Sequence, residues 1–202
     1  GDTVFPALCE ARDDLLGQRR AFIATNRITA IWAATLGLGL AIHAPDLVHV
    51  VLGQAWEPAI FLFRLQGIAL ATASLGFSWD IFYQARGETK PTLVFGVASA
   101  AWVFLVMLPA VAIWGLTGAA WAIFILGLLA LVVRQVFINR IFPGLNLITS
   151  AWRELVAVGA AAAVATLVRA VVGAPTGFAS FVAQAGGFGL LVVVVVVVVD
   201  RA

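Results

Sequence analysis

Runs of apolar residues about as long as a bilayer is thick recur along this chain, separated by short turns rich in Gly, Pro or charge. Crossing a hydrocarbon core as a helix takes roughly 17–25 residues. Residues 28–44, 59–83, 92–114, 119–136, 154–172 and 178–199 each read as one such crossing. Lipid offers the backbone no hydrogen bonds, so each stretch must satisfy its own N–H and C=O groups as a helix. That holds even for the run from Val192 to Val199, which would favour a strand in water and reads as lipid-facing filler. The expected fold class is therefore all-α, a multi-pass membrane protein of six helices. Composition agrees: 63% of residues are hydrophobic, 11% are charged and the mean hydropathy is +1.07. A soluble domain has roughly 45–50% apolar and about 25% charged residues. A formal net charge of only +2 gives nucleic acid no basis as a partner.

The turns divide the chain. Residues 1–27 carry Arg12, Asp13, Asp14, Arg19, Arg20 and Arg27 between Leu8, Leu15, Leu16, Phe22 and Ile23. That spacing predicts an amphipathic segment along the cytoplasmic headgroups. Residues 28–136 hold four crossings, 137–153 form a cytoplasmic connection, and 154–202 hold the last two crossings. The stretch from Leu47 to Leu52 is too short to span and predicts a re-entrant or interfacial turn. Trp56 follows at aromatic-belt depth, and Pro58 suits a first helical turn. Gly37 and Gly39 predict close approach of a neighbouring helix. Gly115-Leu116-Thr117-Gly118 folds the third and fourth crossings into an antiparallel hairpin, with Ala120, Gly127 and Arg134 on one face of the fourth. The opening residues, from Gly1 to Pro6, have no initiator Met and no signal-peptide pattern, so the chain reads as part of a longer protein.

Orientation follows from the basic residues. Six crossings place both ends on one side, together with Arg12, Arg19, Arg20, Arg27, Arg86, Lys90, Arg134, Arg140, Arg153 and Arg201. Only Arg64 and Arg169 fall toward the other. The positive-inside rule makes the first side cytoplasmic.

The second crossing is the polar one, holding Arg64, Gln66, Ser74, Ser78 and Asp80. Read as one continuous helix, it places Arg64, Gly67, Ala71, Ser74 and Ser78 on one stripe, and Gln66, Ala73, Asp80 and Gln84 on another. A charge at membrane depth costs at least a few kcal/mol, so Arg64 and Asp80 should face protein, water or headgroups. Snorkelling to the interface is the competing reading for Arg64, Asp80 and Arg134.

Catalytic patterns are missing. There is no HExxH, no Ser/His/Asp set and no phosphate-cradling Gly loop followed by Lys. Cys9 is alone, so neither a disulfide nor a Cys-based metal site is expected within the chain. His43 and His49 lack a third ligand, so no metal is expected there either. Gly186-Gly187-Phe188-Gly189 lies in an apolar helix and reads as a packing feature. The expectation is a transporter rather than an enzyme, with no cofactor.

Three motifs carry a family resemblance. Val4-Phe5-Pro6 precedes an Arg/Asp-rich loop. Val51-Leu52-Gly53-Gln54-Ala55-Trp56 precedes a helix and an Ala85-Arg86-Gly87 turn. Gly115-Leu116-Thr117-Gly118-Ala119-Ala120-Trp121 forms a hairpin. Over residues 4–140 this resembles the bacterial polysaccharide/O-antigen (Wzx-type) flippases of the multidrug/oligosaccharidyl-lipid/polysaccharide exporter superfamily. The last two crossings match by count alone. The resemblance implies the C-terminal part of a two-bundle transporter in the bacterial inner membrane, helices nine to fourteen, paired with an N-terminal bundle. An undecaprenyl-pyrophosphate-linked oligosaccharide would cross the central cavity by alternating access. Arg64 and Arg134 would then suit its pyrophosphate, because a guanidinium fork matches phosphate oxygens. Gln66, Ser74, Ser78 and Asp80 would contact sugar or a coupling ion. The alternatives are a cation-coupled drug exporter of the same superfamily, a membrane-embedded glycosyltransferase or ligase with a large periplasmic loop, and a scaffold in which Arg64 and Asp80 line nothing.

Overall fold

The structure, a computed structural model, describes residues 14–201 and the side chains of residues 14–198. The expectations that rest on Val4-Phe5-Pro6, Cys9, Arg12, Asp13 and the Arg201 side chain lie outside the described residues. The described residues are mostly helical, joined by turns, with no strand among them. Helix α1 (Leu15–Asp46) is followed by a π-helical turn (Leu47–Leu52) and a 3-10 turn (Gln54–Ala59). Helices α2 (Ile60–Ala73) and α3 (Trp79–Ala85) come next. Helix α4 (Lys90–Trp102) runs through a π-helical turn (Val103–Met107) into α5 (Leu108–Ile141). Helices α6 (Trp152–Val172) and α7 (Phe178–Arg201) complete the chain.

Four helical runs are long and apolar enough to cross a membrane: Leu15–Leu52, Lys90–Ile141, Trp152–Val172 and Phe178–Val198. Their outer faces carry large apolar side chains; Leu105 is 75% exposed and Val171 88%. Continuous apolar surface on this scale is a lipid-facing surface, not a water-facing one.

The second run is not straight. Gly115 adopts φ 58°, ψ −138°, a conformation open to glycine and strained for other residues. The chain doubles back there. A Cβ at Gly118 would lie 2.1 Å from the Ala110 carbonyl oxygen, so the two arms meet backbone to backbone. Trp102 Nε1 donates to the Ala122 carbonyl at 3.0 Å and ties the arms together further from the turn.

Where the structure departs from the sequence reading, the cause is local. No break separates residues 27 and 28. Gln18, Phe22, Asn26, Ala30, Ala33, Ala34 and Gly37 form one buried stripe at helical spacing, so α1 continues through both predicted segments. The stretch 59–83 is not one helix: it stops at Ala73 and restarts at Trp79. The fourth stretch runs on to Ile141, past its expected end at residue 136. The valine run is only partly filler. Val192 is buried, and Val195 and Val196 pack beside it against α1, α2 and α6, an i, i+3, i+4 pattern.

Contacts fix the helix directions. Gly37 on α1 and Gly67 on α2 touch reciprocally: a Cβ on either would sit 2.3 Å from the other's carbonyl oxygen. With Asn26 against Gly76, this makes α1 and α2 antiparallel. Gln66 meets Ala120, and Ala73 meets Gly127 and Arg134, so α2 runs parallel to the second arm of α5. Arg27 pairs with Glu154 and Asp46 with Arg169, so α1 and α6 are parallel. Gly39 packs on Phe188 and His43 on Phe181, so α7 opposes α1. An aromatic cluster closes one end, where Phe22, Phe82 and Phe142 pack with ring centroids 5.3–5.9 Å apart. Trp79 stacks on Phe137 at 5.0 Å within the same core.

Candidate functional site

The break between α2 and α3 gathers much of the chemistry. Ser74-Leu75-Gly76-Phe77-Ser78 is poor helix: two serines compete for backbone groups and the glycine is unrestrained. Gly76 takes φ +68°, and a Cβ there would meet Leu147 Cδ1 at 2.8 Å. Any larger residue would be both strained and obstructed.

Breaking a helix frees backbone groups, which must find partners when buried. Asn26, 1% exposed on α1, supplies the first set. Its Oδ1 accepts from the Gly76 N–H at 2.7 Å. Its Nδ2 donates to the Leu147 carbonyl at 3.1 Å and to Ser150 Oγ at 2.8 Å. One amide thus joins α1, the break and the 142–151 loop. Gln135 clamps the same loop, donating to the Leu145 carbonyl and accepting from the Leu147 N–H, each at 2.8 Å.

Arg134 supplies the second set. Its Nη1 donates to the carbonyls of Ala73 and, at 3.4 Å, Leu75, the groups released where α2 stops. The guanidinium carbon lies 5.8 Å from the Phe77 ring centroid and 6.0 Å from that of Phe95. The Asp80 carboxylate is close enough to act on it electrostatically. Arg134 therefore caps a broken helix rather than reaching out of the bundle. Its Nε and the neighbouring Ser74 Oγ are buried without a hydrogen-bond partner among the described residues.

The six residues named from sequence do not form one constellation. Ser74, Asp80 and Arg134 collect at the break, with Ser78 in its final position before α3. Asp80 Oδ1 accepts from the Ile81 N–H at 2.9 Å. Gln66 faces α5, where its Nε2 donates to the Ala120 carbonyl at 3.4 Å. Arg64 is exposed on α2 and has no partner among the described residues. It stands nine residues, about 13 Å, from Ala73 along the α2 axis. The predicted stripe of Arg64, Ser74 and Ser78 fails because the irregular turn resets the helical phase.

A second polar cluster sits at the opposite end of α1. Asp46 is 4% exposed. Its Oδ1 accepts from Arg169 Nη2 at 2.7 Å, and its Oδ2 pairs with Arg169 Nη1 and, at 3.2 Å, with His43 Nδ1. Arg169 Nη1 also donates to the Ile42 carbonyl at 2.7 Å. The sequence reading put Arg169 on the side away from most basic residues, found no metal site at His43, and paired none of these residues. The available signal was directional: parallel first and fifth crossings bring an acid and a base at their far ends to one level. No family model matches this chain, and neither a curated protein nor a solved structure matches it.

Proposed function

We propose that the chain is part of a membrane transporter that moves a lipid-linked oligosaccharide or polysaccharide precursor across the bacterial cytoplasmic membrane by alternating access. In this reading the two arms about Gly115 each count as a crossing, and α2 with α3 makes another. The helix directions support that count. Between the parallel helices α1 and α6 the chain must return to its starting side, which takes an odd number of crossings, and three fit. Six crossings then leave both ends of the chain on the cytoplasmic side.

The observation that carries the reading is Arg64. It lies on one face with Phe61 and Ile68, at i−3 and i+4, and both are exposed. A guanidinium in an apolar stripe facing acyl chains is costly. That face is better explained as one wall of a polar cavity closed by a further bundle. The broken second crossing adds to it, since irregular backbone at membrane depth is tolerated where it is buried in protein or lines a cavity. The oligosaccharide cargo is the part of the proposal that rests on the resemblance at Val51-Leu52-Gly53-Gln54-Ala55-Trp56 and the Gly115 hairpin.

Arg64 makes no described internal contact, so Arg64→Ala should leave membrane levels and thermal stability unchanged. Surface polysaccharide should fall, and the lipid-linked precursor should accumulate on the cytoplasmic leaflet. Arg64→Lys, which keeps charge but loses the fork, should give an intermediate defect. Full export by Arg64→Ala at normal membrane levels would take Arg64 out of the mechanism.

A further inference from the structure

The cavity between α1, α6 and α7 has an unused polar end. It has a volume of about 440 Å³ and is lined by His43, Arg169 and Gln184 at one end. Val164, Ala165, Val168, Gly187 and Leu191 line the rest. Ligand sites occupy roughly 300–1,000 Å³ and combine an apolar wall with a few placed polar groups. A single water, at about 30 Å³, would not fill it.

Its polar atoms ask for a specific chemistry. His43 is 6% exposed, and its Nδ1 faces Asp46. With Nδ1–H donating to that carboxylate, Nε2 is an acceptor. It is buried and has no partner among the described residues, as is Gln184 Oε1. Gln184 Nε2 is already donating to the Gly173 carbonyl at 3.3 Å. Asp46 and Ile42 occupy Nη1 and Nη2 of Arg169. Two buried acceptors are therefore left without a hydrogen-bond partner among the described residues. Asp46 and Arg169 neutralise each other, so neither an ammonium nor a phosphate entering beside them would find an unpaired counter-ion. Hydroxyl groups fit.

The depth profile identifies the source. Arg169 and His43 stand within a turn of the ends of their helices and Gln184 reaches the Gly173 carbonyl between α6 and α7, whereas Val164 and Leu191 lie five and seven residues further in than Arg169 and Gln184, about 8 and 10 Å. Val168 is 53% exposed, so the apolar part opens on the outer face of the bundle, where acyl chains lie. We propose that this cavity binds a bilayer phospholipid with a glycerol headgroup. Its diol donates to His43 Nε2 and Gln184 Oε1. Its phosphate stays at headgroup level, outside the paired Asp46 and Arg169, and one chain runs between α6 and α7. The site is separate from the Arg64 face and does not rest on the transport reading.

The test is native mass spectrometry of the whole protein released from vesicles of equimolar phosphatidylglycerol, phosphatidylethanolamine and phosphatidylcholine. The wild type should retain phosphatidylglycerol about tenfold over either competitor, the effect of roughly one hydrogen bond to a buried group. Gln184→Leu should erase that preference. Gly187→Leu should abolish retention without disturbing the fold, because a Cβ there meets nothing within 4 Å. Equal retention of all three lipids, preference for phosphatidylethanolamine, or wild-type retention by Gly187→Leu would each overturn the proposal, leaving a crevice that holds water.

Discussion

Asn26 gives the sharpest test of how the broken crossing is held. In Asn26→Ala the Gly76 N–H loses its acceptor at a site where neither residue reaches solvent. The Leu147 carbonyl fares better, since Ser150 Oγ still donates to it at 2.8 Å. One complete orphan therefore dominates the cost. An unsatisfied buried donor costs about 1–3 kcal/mol. Polar side-chain bonds between membrane helices average only about 0.6 kcal/mol, because the unfolded chain also finds partners. The Gly76 amide has no such escape while the bundle stays folded, so about 2 kcal/mol is expected. Opening of the break should then become about thirtyfold more frequent. Hydrogen exchange at the Gly76 amide in lipid nanodiscs reads that opening directly, with the Ala34 amide on α1 as an internal reference. Asn26→Asp supplies a contrast: the acceptor for Gly76 remains, but both donor bonds are lost and a carboxylate is buried. It should lower global stability more than Asn26→Ala while exposing Gly76 less. Exchange at Gly76 within threefold of wild type in a folded Asn26→Ala protein would refute the account of the break as stapled by this amide.

Two further predictions concern packing and charge. Gly37→Ala must push α1 and α2 apart against the Gly67 carbonyl, so the melting temperature should fall by the equivalent of about 1–3 kcal/mol, whereas Gly96→Ala, with nothing within 4 Å of its Cβ, should hold or raise it. In a double-mutant cycle followed by unfolding in mixed micelles, Arg169→Met should cost about 3–5 kcal/mol by stranding Asp46, and adding Asp46→Leu should recover much of it; additive losses would mean that the two groups act separately.

What the sequence revealed was whatever depends on composition along a segment or on residue size. The membrane class follows from apolar runs alone. Gly37 was legible as a point of helix approach because a missing side chain has one dominant use in a lipid-embedded helix. The Gly115 turn was legible for a related reason: Gly-Leu-Thr-Gly between two apolar runs leaves the chain little choice but to reverse. Ala120, Gly127 and Arg134 share a face in the structure, all turned to α2, since heptad spacing survives in an unbroken helix.

What stayed hidden depends on where an unbroken helix stops being a valid assumption. Extending helical phase through residues 74–78 put Arg64, Ser74 and Ser78 on one stripe. Gly76 alone is weak evidence for a break, because membrane helices tolerate glycine, and what decides the matter sits elsewhere in the chain. Asn26 lies fifty residues earlier, Arg134 fifty-eight later, and each matches a backbone group that exists as a free partner only once the helix has opened. The same holds for Asp46 and Arg169, whose pairing needs the parallel course of α1 and α6. In a chain this apolar, a buried polar side chain is most informative as half of a contact. The polar residues that found a partner, Asn26, Arg134 and Asp46, hold the bundle together. Arg64 and the atoms His43 Nε2, Gln184 Oε1, Arg134 Nε and Ser74 Oγ have none among the described residues, and the first three are those that border open space.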